Sequence, residues 1–187
     1  IYATNRNQNT LTVLNGTTYA TEATVPVGEK PFGVAVNPLT HRIYVANFDS
    51  ARVDVVDGLM NTVVAQVSLQ NSKPTFLAVD TGRNLVYALT SLGEVYRIKA
   101  DNSAERWLHL ADSGLVGIAY NPVLDRLYVS SYANRVYVYN AATKAALAEI
   151  AVPGEPHALA VNTNGNAVFV AARGNEVYRV DGNDNTY

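Results

Sequence analysis

The sequence predicts an all-β fold: a β-propeller of four-stranded antiparallel blades on a repeat of about 42 residues. Three observations carry this. One aromatic recurs at Tyr2, Tyr44, Tyr87, Tyr128 and Phe169, in steps of 42, 43, 41 and 41 residues. A second marker, Ala35, Ala78, Ala119 and Ala160, keeps the same rhythm in steps of 43, 41 and 41. Between the markers lie only short apolar runs and turn residues, with no long 3.6-residue periodicity. A period of roughly 40–45 residues carrying only strand signals is the pattern of propeller blades.

Each unit holds four apolar runs, here strands a to d. Strand a is Phe32-Gly33-Val34-Ala35-Val36, matched by Phe76–Val79, Val116–Tyr120 and Ala158–Val161. It is apolar on both alternations with Gly or Ala between, which suits a strand covered on both faces near a crowded centre. Strand b is Ile43-Tyr44-Val45 and its counterparts. Strand c is Val53-Asp54-Val55-Val56, matched by Leu11–Leu14, Val95–Ile98, Val136–Tyr139 and Val177–Val180. Strand d is Val64–Leu69, matched by Ala23–Val27, Arg106–Leu110 and Ala146–Ile150. Strands c and d alternate more and carry Asp54, Arg97, Gln66 and Arg179, as expected towards a blade's outer edge. One such sheet cannot hide both apolar faces, whereas blades stacked around an axis can.

The turns agree. Asn37-Pro38, Asp80-Thr81-Gly82, Asn121-Pro122 and Asn162-Thr163-Asn164-Gly165 separate a from b; Asn15-Gly16, Asp57-Gly58, Asn140-Ala141 and Asp181-Gly182 separate c from d. Asn or Asp opening such a turn caps it with its own side chain. In a meander the a–b and c–d turns share one end of the sheet, and the b–c and d–a loops share the other. The first end is stereotyped and the second varies, so a specific site is expected at the second. Asn15-Gly16-Thr17 also fits the N-glycosylation pattern, but Asn-Gly is expected there for backbone reasons.

By this count residues 1–30 hold b-c-d, residues 31–73, 74–114 and 115–155 hold full blades, and residues 156–187 hold a-b-c, which makes 18 strands. Closed rings of four-stranded blades need multiples of four. The expectation is therefore a partial propeller of about 4.5 blades, with further blades of the same protein or a neighbouring subunit closing the ring.

Composition narrows the function. Of the 187 residues 16% are charged and the formal net charge is −2, so no electrostatic footprint for nucleic acid exists. No run of 18 apolar residues is present, so no membrane-spanning helix is expected. Cysteine is absent, which removes disulfides, thiolate metal sites and covalent c-type haem. Neither a Gly-x-Ser-x-Gly elbow nor a phosphate-cradling glycine loop appears.

The variable end offers Arg6, Asn47, Phe48, Asp49, Tyr132, Arg135 and Arg173 from b–c loops. Phe32 and His157 stand three residues before marker alanines and should ring the mouth of a central channel. Phe32 and His157 are not dictated by the repeat. Together these residues make an aromatic and cationic rim suited to a protein, a peptide, or a small anionic or carbohydrate ligand. His41, His109 and His157 fall at different phases of the repeat, so no three-histidine metal site is expected, and no cofactor is predicted. The loops are about five residues each, short for the insertions that carry lids and catalytic constellations. Tyr96, Tyr137, Tyr139 and Tyr178 on the c strands are read as fillers between blades with their hydroxyls at the rim.

The unit Arg42-Ile43-Tyr44-Val45-Ala46-Asn47, with Val53-Asp54-Val55-Val56-Asp57 and Lys73-Pro74, resembles the YVTN family of β-propeller repeats. The Tyr-Val-Thr-Asn positions read Tyr44-Val45-Ala46-Asn47 here and Tyr2-Ala3-Thr4-Asn5 in the first unit. Later units depart, as in Tyr128-Val129-Ser130-Ser131 and Phe169-Val170-Ala171-Ala172. The resemblance implies a closed disc, often of seven blades, in exported, periplasmic or cell-surface proteins that serve mainly as binding or scaffolding modules. It brings no family-wide catalytic residue. Two alternatives stand beside the scaffold: a metal-dependent propeller enzyme, lactonase- or lyase-like, using Asn47, Asp49 and Asn134 at the channel, and an accessory protein of periplasmic redox metabolism.

Overall fold

Strand ends in this protein are set by side-chain caps. Asp57 Oδ1 accepts the N–H groups of Leu59 and Met60 at 2.9 and 3.0 Å, and Asn140 Oδ1 accepts those of Ala142 and Thr143 at 3.1 and 2.7 Å. Asn37 and Asn121 do the same for the a–b turns. Each a–b turn then closes on a left-handed residue, His41, Asn84, Asp125 or Asn166, a conformation that Asn and Asp tolerate best among non-glycine residues. Asn15 caps Thr17 and Thr18 in the same way. There the left-handed residue is Tyr19, however, and Gly16 is not at positive φ. The backbone need inferred for glycine at position 16 is therefore absent.

The structure, a computed structural model, describes residues 1–112 and 114–187. These residues form 18 strands in antiparallel sheets and no helix. Strands β1 (Tyr2–Asn5), β2 (Thr10–Leu14) and β3 (Thr21–Pro26) make a three-stranded sheet, in the order b-c-d. Next come β4 (Pro31–Asn37), β5 (Arg42–Asn47), β6 (Arg52–Asp57) and β7 (Thr62–Ser68), then β8 (Pro74–Asp80), β9 (Leu85–Thr90), β10 (Glu94–Ile98) and β11 (Ala104–His109). A third four-stranded sheet is β12 (Leu115–Asn121), β13 (Arg126–Ser131), β14 (Arg135–Asn140) and β15 (Ala146–Ala151). Last are β16 (Pro156–Asn162), β17 (Ala167–Ala172) and β18 (Glu176–Asp181). Every sheet is a simple meander.

The chain divides into two compact units, Ile1–Arg106 and Trp107–Tyr187. In the first unit, Leu11, Val13 and Val25 of the first sheet pack on Ile43, Val45 and Val56 of the second. The opposite face of the second sheet sends Tyr44, Val53 and Val55 against Val86, Ala88, Tyr96 and Ile98. In the second unit, Tyr128, Val136 and Val138 pack on Val168, Val170 and Val180. The recurring Tyr is thus a filler between face-to-face sheets at Tyr44 and Tyr128, and in the four-stranded sheets strand b is well enclosed: β5, β9 and β13 are buried at every residue after the first.

Strand a is less covered than its composition suggests. It lies at a sheet edge, and half or more of β4, β8 and β16 is only partly buried or exposed. Its small residues answer to a different demand, the close approach of neighbouring a strands. A Cβ on Gly33 would stand 2.6 Å from the Thr75 carbonyl oxygen. The same approach is bonded from strand b: Thr4 donates its hydroxyl to Phe32 O at 2.8 Å, and the equivalent Ser130 donates to His157 O at 2.6 Å. Asp54 also departs from expectation. It is fully buried rather than at an outer edge, where Arg52 Nε donates to it at 2.7 Å and the Gly28 N–H at 2.8 Å. Those two donors satisfy a carboxylate that burial alone would heavily penalise.

No helix among the described residues is long and apolar enough to cross a membrane.

Candidate functional site

The b–c and d–a loops meet through backbone hydrogen bonds. Phe48 and Asp49 N–H donate to Lys30 and Glu29 carbonyls in the first unit, and Tyr132 and Arg173 N–H donate to Gly114 and Gly154 carbonyls in the second. Side chains add to this. Asn9 and Asn134, both at positive φ, accept the N–H groups of Lys30 and Glu155, each at 2.9 Å. These paired loops form one end of each stack.

A β-bulge marks the start of every a strand. The register shifts between Pro31 and Val34, Pro74 and Phe76, Leu115 and Gly117, and Pro156 and Leu159. Bulges redirect side chains, and Phe32 and His157 sit inside two of these.

In the first unit the rings of Phe32, Phe48 and Phe76 cluster. Phe32 meets Phe76 edge-on at 5.4 Å and Phe48 at 6.5 Å between centroids. The Arg6 guanidinium lies 5.1 Å above the Phe32 ring, and Lys73 Nζ lies 4.9 Å above Phe48. Asp49 is held by two lysines, Lys30 at 2.5 Å and Lys73 at 3.1 Å. The Lys30 bond, then the Lys73 bond, keep its carboxyl below the usual range. Beside these groups runs a cleft of about 400 Å3 lined by Arg6, Asn7, Asn9, Glu29, Lys30 and Asp49. Asn47 is not part of this surface. It is fully buried, its side chain packed against Gly28, and its Nδ2 donates to Val45 O at 3.3 Å.

In the second unit Tyr132 and His157 come together, with Tyr Oη to His Nε2 at 2.7 Å and the rings edge-on at 5.0 Å. Arg173 pairs with Glu155 at 2.7 Å, and that hydrogen bond raises its pKa further. Arg135 turns to the d strand instead and pairs with Glu149.

The structure adds residues that the sequence reading passed over. Lys30, Lys73, Glu29 and Phe76 complete the first cluster; Lys and Glu at loop ends carry no pattern that singles them out. Three of the four c-strand tyrosines also have definite hydrogen-bond partners. Tyr137 donates to Asp112 at 3.1 Å, Tyr96 bonds Ser72 at 3.3 Å, and Tyr178 donates to Glu176. Tyr96 and Tyr137 thereby tie d–a loops to the sheet.

Asp112 makes one such tie sensitive to acid. Burial pushes its pKa up, but the Ser131 hydroxyl, the Gly114 N–H and the Tyr137 hydroxyl, with Arg135 nearby, outweigh burial and leave it below the usual value. A depressed pKa gives stability that is complete above the unfolded-state value of about 4 and is lost as pH falls through the folded-state value. The urea midpoint is therefore expected to fall between pH 5 and pH 3 by more in the wild type than in Asp112→Asn.

At the opposite end, Thr40, Arg42, Tyr44 and Asn84 line a cleft of about 370 Å3. Its arginine is occupied by Asp57 at 2.6 Å. Among the described residues no group of three or more His, Cys, Asp and Glu side chains converges as a metal site. Two of the three residues considered for a channel cation are also committed elsewhere: Asn47 is buried and Asp49 is paired with lysines. No protein-family model matches the sequence, and no curated protein matches it.

Proposed function

We propose that this chain is a segment of a β-propeller of the YVTN repeat class and works as a non-catalytic binding or scaffolding module. Its partner surface is the end formed by b–c and d–a loops. Meander sheets stacked face to face within each unit, at the period of the sequence repeat, support the propeller reading. The last sheet adds to it. Phe169 is 37% and Val177 68% exposed, while the equivalent Tyr87, Tyr128, Val95 and Val136 are fully buried. That face has the composition of one covered by another blade, from the same protein or from a neighbouring subunit.

The observation that carries the binding reading is the Phe32–Phe48–Phe76 cluster with Arg6, Lys30 and Lys73 around it, at the bulged starts of β4 and β8 and on the short loops hydrogen-bonded beside them. Aromatic and arginine side chains on a rigid frame are what protein-recognition surfaces concentrate their energy in. A panning experiment with a random peptide library tests this. Selected peptides should bind Phe32→Ala at least about 10-fold more weakly, as for a hot-spot anchor. They should bind the Leu59→Ala/Met60→Ala double variant, altered at the opposite end, as well as the wild type. The reverse pattern would move the surface to the other end.

A further inference from the structure

One arginine at the loop end has its charge unanswered. Seven of the other nine pair with carboxylates: Arg42, Arg52, Arg83, Arg97, Arg106, Arg135 and Arg173; Arg126, at the opposite end, donates to Gly182 O and Asn185 Oδ1, and Arg179 lies within strand β18. Arg6 is exposed, rests on the Phe32 ring at 5.1 Å, and has no carboxylate partner among the described residues. The ring fixes one face of the guanidinium and leaves its N–H fork free, the geometry that reads a carboxylate in two parallel bonds. The cleft's lining holds two cations, Arg6 and Lys30, and two carboxylates, Glu29 and Asp49; Asp49 is already held by Lys30 and Lys73, which leaves Arg6 and Glu29 as the unpaired charges of the lining. Both carboxylates would repel a dianion, which favours a ligand with a single negative charge.

The apolar half of the site is equally specific. Phe32 is 37% exposed and sits against Phe48 and Phe76, so ring surface lies open beside the charge. The cleft of about 400 Å3 is walled by short loops and open on one side. Small-molecule sites enclose roughly 70–90% of their ligand, more than such walls can cover, whereas a chain end needs to bury only its last residues. Side chains of Asn7 and Asn9 line the same cleft, next to where peptide backbone would leave it.

We propose that this cleft captures the C-terminal carboxylate of a peptide or protein whose last side chain is apolar. Arg6 takes the carboxylate, and the terminal side chain lies on Phe32 and Phe48. The proposal rests on the reading of this end as the partner surface, and it names the feature that the surface recognises.

The test titrates the full chain with two N-acetylated pentapeptide pools, randomised at four positions and ending in Leu or Phe. One pool carries a free carboxylate and the other a C-terminal amide. The acid pool is expected to bind at least about 10-fold more tightly, the scale of one or two charge-assisted hydrogen bonds. Arg6→Gln should remove that preference, Arg6→Lys should restore part of it, and Phe32→Ala should weaken both pools alike. Equal binding of acid and amide, both lost in Phe32→Ala, would overturn carboxylate capture and keep the surface. Binding indifferent to both Arg6→Gln and Phe32→Ala would overturn the surface itself. Failure of the acid pool to bind, or 3-phenylpropionate binding as tightly as that pool, would overturn the peptide assignment.

Discussion

Tyr128→Ala is expected to destabilise the protein by about 3–5 kcal/mol, the cost of emptying a large, fully buried aromatic site. Tyr128 has no exposed surface and packs among Val136, Val138, Val168 and Val170, side chains on two sheets that cannot close over the gap without moving. At roughly 2–4 °C per kcal/mol for a chain of this size, the melting temperature should drop by about 10 °C. The control is Phe169→Ala, at the same phase of the repeat. With no further blade or subunit packed on it, the face that carries Phe169 is uncovered, so in the monomeric 187-residue chain the change should cost about 1 kcal/mol or less. Thermal unfolding of both variants separates a role set by the repeat from a role set by the neighbouring sheet. Equal losses would mean that Phe169 is covered as Tyr128 is.

The second large effect is expected at Gly117. A Cβ there would lie 2.3 Å from the His157 carbonyl oxygen and 2.5 Å from Ser130 Oγ. The first of these is backbone and cannot swing aside, so Gly117→Ala must push β12 and β16 apart. Overpacking of this kind costs about 1–3 kcal/mol, and it should also loosen the Ser130–His157 bond and the Tyr132–His157 pair. The chemical shift of the His157 imidazole should therefore move in Gly117→Ala. Gly16→Ala, where no atom lies within 4 Å and φ is not positive, should be neutral in thermal melts or stabilising by about 0.4–1 kcal/mol.

Strand order was legible in the sequence because each element has its own local signature. Val-Tyr-Val cores, Asn or Asp turn openers and the recurring aromatic are short-range signals, and the sheets follow them in order. Burial was less legible, because it depends on neighbours that local pattern does not name. Strand a reads as apolar on both faces, yet it forms an edge. Asp54 reads as a solvated outer charge, yet it is buried by donors from Arg52 and from Gly28, the latter 26 residues away. Asn47 reads as the first loop residue, but β5 runs through it and turns its amide inward.

The candidate site shows the same division. Arg6, Phe32, Phe48 and Asp49 were visible as loop residues that the repeat does not require, and they lie together in the first unit. Tyr132, His157 and Arg173 lie in the second, with Tyr132 bonded to His157. Lys30 and Lys73 were not visible. Their meaning comes from sharing Asp49, which follows only from the meeting of b–c and d–a loops.

The proposed partner surface lies where those loops meet. Hydrogen–deuterium exchange of the chain with and without the free-acid peptide pool tests it directly. Protection is predicted at residues 5–9, 28–32 and 47–50, with residues 37–41 and 57–61 unchanged. Protection confined to residues 37–41 and 57–61 would contradict it.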